Sequence, residues 1–178
     1  MSYQIRLELK DYLTYQLYAV SQSKRIKQKK NRSWFIFPIV FVAIGIIMNQ
    51  QGLKSASGYF ILALIWAVAY PFYFKWLYQR HFKRYVNDVY AKKADNLIEI
   101  EIGNDYIFSK DDETEAKFKL NQFYAFIDLP DHILLQLDKG DTLIIPKSTN
   151  SYANIESELR SKAEKFSIEW KNQLGWKW

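Results

Sequence analysis

Two stretches decide how this chain is built: WFIFPIVFVAIGIIM at residues 34–48 and YFILALIWAVAYPFYF at residues 59–74. Neither holds an acidic or basic side chain, in a chain of which 25% is charged. A bilayer's hydrocarbon is about 30 Å thick and a helix rises about 1.5 Å per residue, so a span takes roughly 20 residues. Each run is slightly short. Polar flanks extend them to residues 33–53 and 58–78, with Lys75 reaching its ammonium towards the headgroups. In the first run Phe35, Ile36, Phe37, Ile39, Val40, Phe41, Val42, Ile44, Ile46 and Ile47 each favour insertion by about 0.3–0.6 kcal/mol, roughly 3–6 kcal/mol together.

The competing reading is a helical hairpin buried inside a soluble domain, which the mean hydropathy of −0.28 keeps in play. A soluble helix normally carries a polar stripe at helical period, and neither run has one. Aromatic placement points the same way: Trp34 opens the first span, and Tyr73, Trp76 and Tyr78 close the second, where amphipathic rings prefer the interface. Pro38 lies in the first turns of its helix, whereas Pro71 is expected to kink the second.

Basic residues set the orientation. Lys24, Arg25, Lys27, Lys29, Lys30 and Arg32 precede the first span without an acid among them, and Lys75, Arg80, Lys83 and Arg84 follow the second. The connecting loop has only Lys54. By the positive-inside rule both termini face the cytoplasm. The first apolar run begins too late, and without a small-residue cleavage motif, for a signal peptide. A basic run can also bind nucleic acid, but beside a span it reads as a topology determinant touching anionic lipid, so no nucleic-acid partner is expected.

The remaining chain suffices for one compact domain. The net charge of +6 lies largely in the segments flanking the spans, which argues for a negatively charged leaflet rather than an acidic substrate. The absence of cysteine removes disulfides, thiolate catalysis and cysteine metal sites together, and suits a reducing compartment.

Residues 96–147 read as a succession of short strands. Leu97, Ile98, Ile100 and Ile102 interleave with Glu99 and Glu101, and Gly103-Asn104-Asp105 turns the chain into residues 106–109. After the polar turn Lys110-Asp111-Asp112-Glu113, Ala116, Phe118 and Leu120 alternate with lysines. Residues 122–129 and 133–137 flank Pro130-Asp131, and residues 142–145 follow Lys139-Gly140-Asp141. About six strands result, mostly antiparallel. A terminal amphipathic helix is expected from the cap cluster Ser148-Thr149-Asn150-Ser151, with Ile155, Leu159, Ala163, Phe166, Trp170 and Leu174 as its apolar stripe and Gly175 ending it. At the other end Tyr3, Ile5, Leu7 and Leu9 alternate with polar residues as a further strand, followed by a helix with Asp11 as N-cap. With both ends cytoplasmic, this strand can pair with the later sheet, which makes the spans an insertion within one domain. The expected divisions are residues 1–32 (strand, helix and basic segment), 33–78 (membrane hairpin) and 79–178 (strand-rich domain).

The run His132-Ile133-Leu134-Leu135-Gln136-Leu137, then Leu143-Ile144-Ile145-Pro146-Lys147 and an amphipathic helix, resembles the bacterial YcxB-like family. Its members carry an N-terminal strand and helix, two spans, and a C-terminal domain similar to pleckstrin-homology (PH) domains. The resemblance implies an α+β membrane protein, with a two-helix transmembrane hairpin inserted in a PH-like antiparallel β-barrel, partly open and closed by the C-terminal amphipathic helix. It also implies a bacterial plasma-membrane address and no established activity. Relatives often continue past the lysine with a basic and an aromatic residue; Ser148-Thr149-Asn150 stands here, so only Pro146 and Lys147 are carried over.

No catalytic constellation is legible. His81 and His132 form no metal-spaced pair, and neither has a neighbour arranged as a nucleophile. The cluster at Asp111 lacks the alternating ligands and turn glycine of an EF-hand and reads as a solvated turn. No phosphate-cradling loop is present. The expectation is a protein that is not an enzyme, with no cofactor and no metal.

Lys147 precedes a helix N-terminus and is a candidate anion contact, against the plainer reading of an exposed lysine after an edge-strand proline. Trp170 belongs to the helical stripe, and Trp176 and Trp178 are either interfacial or packed. Three functions remain. The first is a tethered recognition or scaffold module for a protein partner. The second is binding of anionic membrane lipid by Lys147 with the flanking basic residues. The third is an immunity-type or regulatory protein acting through its hairpin, where Ala43, Gly45, Ala63, Ala67 and Ala69 permit close helix packing, within a homo-oligomer or against another protein. A transporter or channel is disfavoured, because the spans hold no intramembrane charge.

Overall fold

The computed structural model describes residues 2–52, 55–138 and 140–178. Three sequence expectations fall outside the described residues: Leu53 as the end of the first span, Lys54 as the loop's basic residue, and Lys139 in a turn. In chain order the elements are β1 (Ser2–Arg6), α1 (Leu9–Gln22), α2 (Lys24–Gln50), α3 (Ala56–Tyr90), β2 (Leu97–Ile102), β3 (Tyr106–Lys110), β4 (Glu115–Lys119), a 3-10 turn (Leu120–Gln122), β5 (Phe123–Asp128), β6 (His132–Leu137), β7 (Thr142–Pro146), α4 (Tyr152–Phe166) and β8 (Glu169–Asn172). The architecture is mixed α+β, with two long apolar helices and two largely antiparallel sheets.

The chain divides into two compact units, residues 1–15 with 85–177, and residues 16–84 with Trp178. In the first, β1 pairs antiparallel with β2 in the register Tyr3↔Ile100 and Ile5↔Ile98, so the ends of the long helical insertion return to one sheet. That sheet runs β1-β2-β3-β4, and the second runs β7-β6-β5-β8. Among the described residues the strands make two separate ladders and no closed barrel. The alternation in β1 has its expected outcome, with Tyr3 and Ile5 buried between exposed Ser2, Gln4 and Arg6. β5 and β6 are buried along nearly their whole length, as central strands covered on both faces are. A bulge at Phe123/Ala125 turns Tyr124 outward, beneath the Lys171 ammonium 4.4 Å away.

The terminal helix is shorter than its stripe suggested. Ile155, Leu159 and Ala163 are buried as expected, but α4 stops at Phe166. Ser167 adopts the left-handed conformation (φ 55°), and the Ile168 N–H closes the helix on the Ala163 carbonyl at 2.9 Å. Trp170 is therefore on a strand. β8 lies parallel to β5 with Phe126 opposite Trp170, and Leu174 is exposed beyond it. The alternation Ile168, Glu169, Trp170, Lys171 is also a strand pattern, and the ladder of β5 decides in its favour.

Asp11 also departs from expectation. The helix starts at Leu9, and Asp11 sits in its first turn, its Oδ2 accepting from the Glu8 N–H at 2.7 Å. It thus supplies the acidic half of a capping box rather than the cap itself. One residue on, Tyr12 stacks on Tyr90 with centroids 4.3 Å apart. Burial first, then Tyr90, Asp111 and Asp11, push its phenol up from 10.0 to about 12. A phenol kept neutral by the fold contributes stability that is complete below pH about 10, the ordinary tyrosine value, and lost as pH rises through the folded value. We expect phenolate absorbance in an alkaline titration to show a late phase near pH 12, and Tyr12→Phe to diminish that phase. An unchanged late phase would refute the assignment.

In the second unit, α2 and α3 are long and apolar enough to cross a membrane. At about 1.5 Å per residue, 27 and 35 residues extend about 40 and 52 Å, more than the hydrocarbon thickness. The basic run forms the first turns of α2 and is continuous with the apolar part, and Arg80, Lys83 and Arg84 lie on the same helix as the second run. Pro38 lies well inside α2, which begins at Lys24, rather than in its first turns, and Pro71 lies inside α3. Their apolar side chains are not consumed by the protein's interior: Ile39 is 64% exposed, Leu64 67% and Phe72 73%. A core helix would have buried them. A contiguous apolar surface of this kind needs lipid or a partner, which is consistent with a membrane protein.

Candidate functional site

Asp128 ends β5 as a carboxylate in an otherwise apolar strand, and it is 3% exposed. Lys147 follows Pro146 at the end of β7, and its backbone N–H bonds the Asp131 carbonyl at 2.9 Å, which fixes where the side chain starts. The ammonium donates to Asp128 Oδ1 at 2.6 Å. It is thus the counter-ion of a buried acid, and neither free for a ligand nor an exposed strand-end lysine. Arg160, on α4, reaches Asp128 Oδ2 at 3.5 Å and grips Glu156 Oε1 through Nε at 2.9 Å and a terminal nitrogen at 2.7 Å. Its guanidinium lies 4.2 Å from the centre of the Trp170 ring.

Two cations and two carboxylates form this cluster, so it balances internally. The Tyr152 phenol extends it by bonding Glu156. Burial, and then that bond, raise the Tyr152 phenol well above its ordinary value, while Tyr152 and Arg160 hold Glu156 below the usual glutamate value. Chemically the cluster joins β5, β7, α4 and β8, and its charged groups face one another. Such a cluster binds the fold together and leaves Arg160, about half exposed, as its outlet to solvent.

His132 belongs to a second buried pair, with Asp11. Its Nε2 lies 2.8 Å from Asp11 Oδ1, the two side chains 6% and 4% exposed. Its Nδ1 is buried with no hydrogen-bond partner among the described residues. The pair ties α1 to the start of β6 across 121 positions of sequence. His81 is far from it in sequence and stands edge-on to Phe82 at 5.3 Å. Among the described residues no three His, Asp or Glu side chains are grouped to hold a metal ion. Asp111 is spent on its own turn: Oδ1 accepts from the Glu113 N–H at 2.8 Å, the Thr114 N–H at 2.7 Å and the Thr114 hydroxyl at 2.8 Å. Burial would raise this carboxyl, but these bonds outweigh it and hold it low.

The flanking cations lie in the other unit. Lys24, Arg25, Lys27, Lys29, Lys30 and Arg32 occupy the start of α2, and Arg80, Lys83 and Arg84 the later part of α3. No Asp or Glu occurs between Asp11 and Asp88, a stretch with eleven Lys and Arg. All 19 acids of the chain lie outside it with the other 14 basic residues, so one unit is strongly basic and the other mildly acidic. Of the aromatics expected at the interface, Trp34 donates its indole N–H to the Ala67 carbonyl at 2.9 Å, and Trp66 reciprocates to Ser33 at 3.4 Å. These two bonds staple α2 to α3. Trp76 is half exposed beneath the Arg80 guanidinium, and the Tyr78 ring packs tilted by 32° against Phe74, centroids 4.3 Å apart. Trp178 groups with this unit, its indole donating to the Lys75 carbonyl at 3.3 Å. Gly45 faces the Phe60 ring, where a Cβ would stand 3.0 Å away, and Ala63 is buried. Two of the five small residues are therefore used inside the hairpin itself.

Sequence reasoning found Lys147 and missed Asp128, Arg160 and the Asp11–His132 pair. A signal existed in each case: an acid at the end of the apolar run FYAFID, an Arg four residues after a Glu, and a histidine heading a strand that is apolar but for Gln136.

Residues 102–150, from the end of β2 through β7 to the turn before α4, match the family model described as YcxB-like protein. Over these residues the chain is similar to that family. The matched segment contains residues 132–147, on which the resemblance was read, together with Asp128 and Lys147, and it stops short of Arg160 and both long helices. The ion pair thus lies inside the YcxB-like segment, while the arginine that completes it comes from the helix after it. No curated protein and no solved structure matches the chain.

Proposed function

We propose that this chain is a membrane-anchored, non-enzymatic recognition or scaffold protein, in which α2 and α3 hold the YcxB-like domain at the cytoplasmic leaflet of a bacterial plasma membrane to meet a protein partner. The observation that carries this reading is the combination of an exposed apolar helix pair with a chain that leaves the strand-rich unit after residue 15 and rejoins it at residue 85. Two spans return the chain to the side it left, and the basic residues at both ends of the pair favour the cytoplasmic side. Tethering a domain this way raises its effective concentration for other membrane-bound proteins without new contacts. The domain itself reads as PH-like: seven strands in two sheets followed by α4 fit a partly open barrel closed by a helix, with β8 as an addition to the second sheet. Lys147 and Asp128 neutralise each other, which favours a protein partner over a headgroup at that junction.

The test is crosslinking and affinity purification of the full chain from native membranes, beside a chain whose residues 24–84 are replaced by an unrelated two-span hairpin. Enrichment of the same protein by both supports a recognition domain on a neutral tether. Loss of that protein with the native hairpin transfers the function to the helices and defeats the proposal.

A further inference from the structure

The start of α2 and the later half of α3 enclose a hollow of about 400 Å³, lined on the apolar side by Phe74, Leu77 and Tyr78 and on the polar side by Lys29 and His81. A second hollow of about 320 Å³ shares Leu77 and His81 and adds Arg80 and Arg84. Both lie wholly within the hairpin unit, where the apolar parts of its helices give way to basic residues. The wall carries cations and no acid, and the acid-free stretch of 76 residues supplies none nearby. Moreover, the basic residues at the start of α2 stand at the positive end of its macrodipole, an arrangement that disfavours the free helix and favours an anion beside it. Aromatic and aliphatic floor, cationic rim and membrane-level position together fit one class of ligand.

We propose that this crevice is a binding site for an anionic phospholipid. Its phosphate meets Lys29, with His81 as a hydrogen-bonding neighbour and Arg80 and Arg84 on the adjoining rim, while the first part of an acyl chain lies over Phe74 and Leu77. The inference rests on the anchored reading only in requiring that the helices sit in a bilayer. It differs from a diffuse basic flank in demanding a particular lysine and an open floor.

The test is native mass spectrometry of the full chain in a neutral detergent, titrated with phosphatidylglycerol or with phosphatidylcholine of the same chains. One-to-one retention of phosphatidylglycerol in preference to phosphatidylcholine is the expected result. Lys29→Gln should weaken it about fivefold, the effect of one lysine near an anionic surface. Lys27→Gln, the same charge change outside the hollow, should leave it unchanged. Leu77→Trp, which fills the floor at constant charge, should abolish it. Equal retention of both lipids, or equal effects of Lys27→Gln and Lys29→Gln, would overturn the site; the lysine pair decides even where Leu77→Trp fails to fold. A chain that stays in solution without detergent would defeat the anchor, whereas an unselective chain in the membrane fraction would defeat the crevice alone.

Discussion

Lys147→Met is expected to destabilise the chain by about 3 kcal/mol, the lower end for breaking a buried ion pair by removing one partner. Asp128 is almost wholly buried, and the ammonium 2.6 Å away is its principal counter-ion. The Arg160 guanidinium at 3.5 Å is half in water and already engaged by Glu156, so it compensates only in part. For a chain of this size the loss should appear as a fall of about 6–12 °C in the thermal midpoint, followed by tryptophan fluorescence in detergent. The double variant Asp128→Asn/Lys147→Met should recover most of it, because no uncompensated charge then remains inside. An unchanged midpoint for the single variant, with anionic-lipid retention lost, would make Lys147 a ligand contact and overturn the ion-pair account.

Asp11→Ala should cost about as much, roughly 3 kcal/mol, by a different route. Losing the bond to the Glu8 N–H removes a capping interaction of about 1 kcal/mol. Losing the bond to His132 removes a buried side-chain pair of about 1.5–3 kcal/mol, and leaves both ring nitrogens without a partner where one already has none. Asp11→Asn keeps one of the two acceptor oxygens, enough for the Glu8 N–H, and should therefore cost about 1 kcal/mol less than the alanine variant. Because the pair connects α1 to β6, hydrogen exchange should rise chiefly in β1 and α1 in the alanine variant. Equal exchange across the whole domain would mean that Asp11 supports the fold generally rather than that junction.

The hairpin was legible because a membrane span is a local property: run length, absence of charge and flanking basic residues are all adjacent in sequence. The strands of residues 97–146 were legible for the same reason, since a two-residue period and polar turns need no distant information. The terminal strand was not. Residues 168–174 fit the end of a helical stripe and also an alternating strand, and the choice lay in whether an edge of β5 was open to pair with Trp170. Asp11 was legible as a capping residue, but its second role needed His132, which stands 121 residues away.

The sequence by itself determined two membrane-length helices, a basic flank at each end of them, a strand-rich domain and a helix with Ile155, Leu159 and Ala163 on its buried face. These follow from the solvent each residue prefers and the period at which it recurs. The tertiary structure alone decided that β2 is the strand of the later sheet with which β1 pairs, that Asp128 is met by Lys147 and Arg160, and that Lys29 faces Phe74 and Leu77 across a hollow. A charge's partner is chosen by which surfaces the fold brings within a few ångströms of it, and no local pattern encodes that distance.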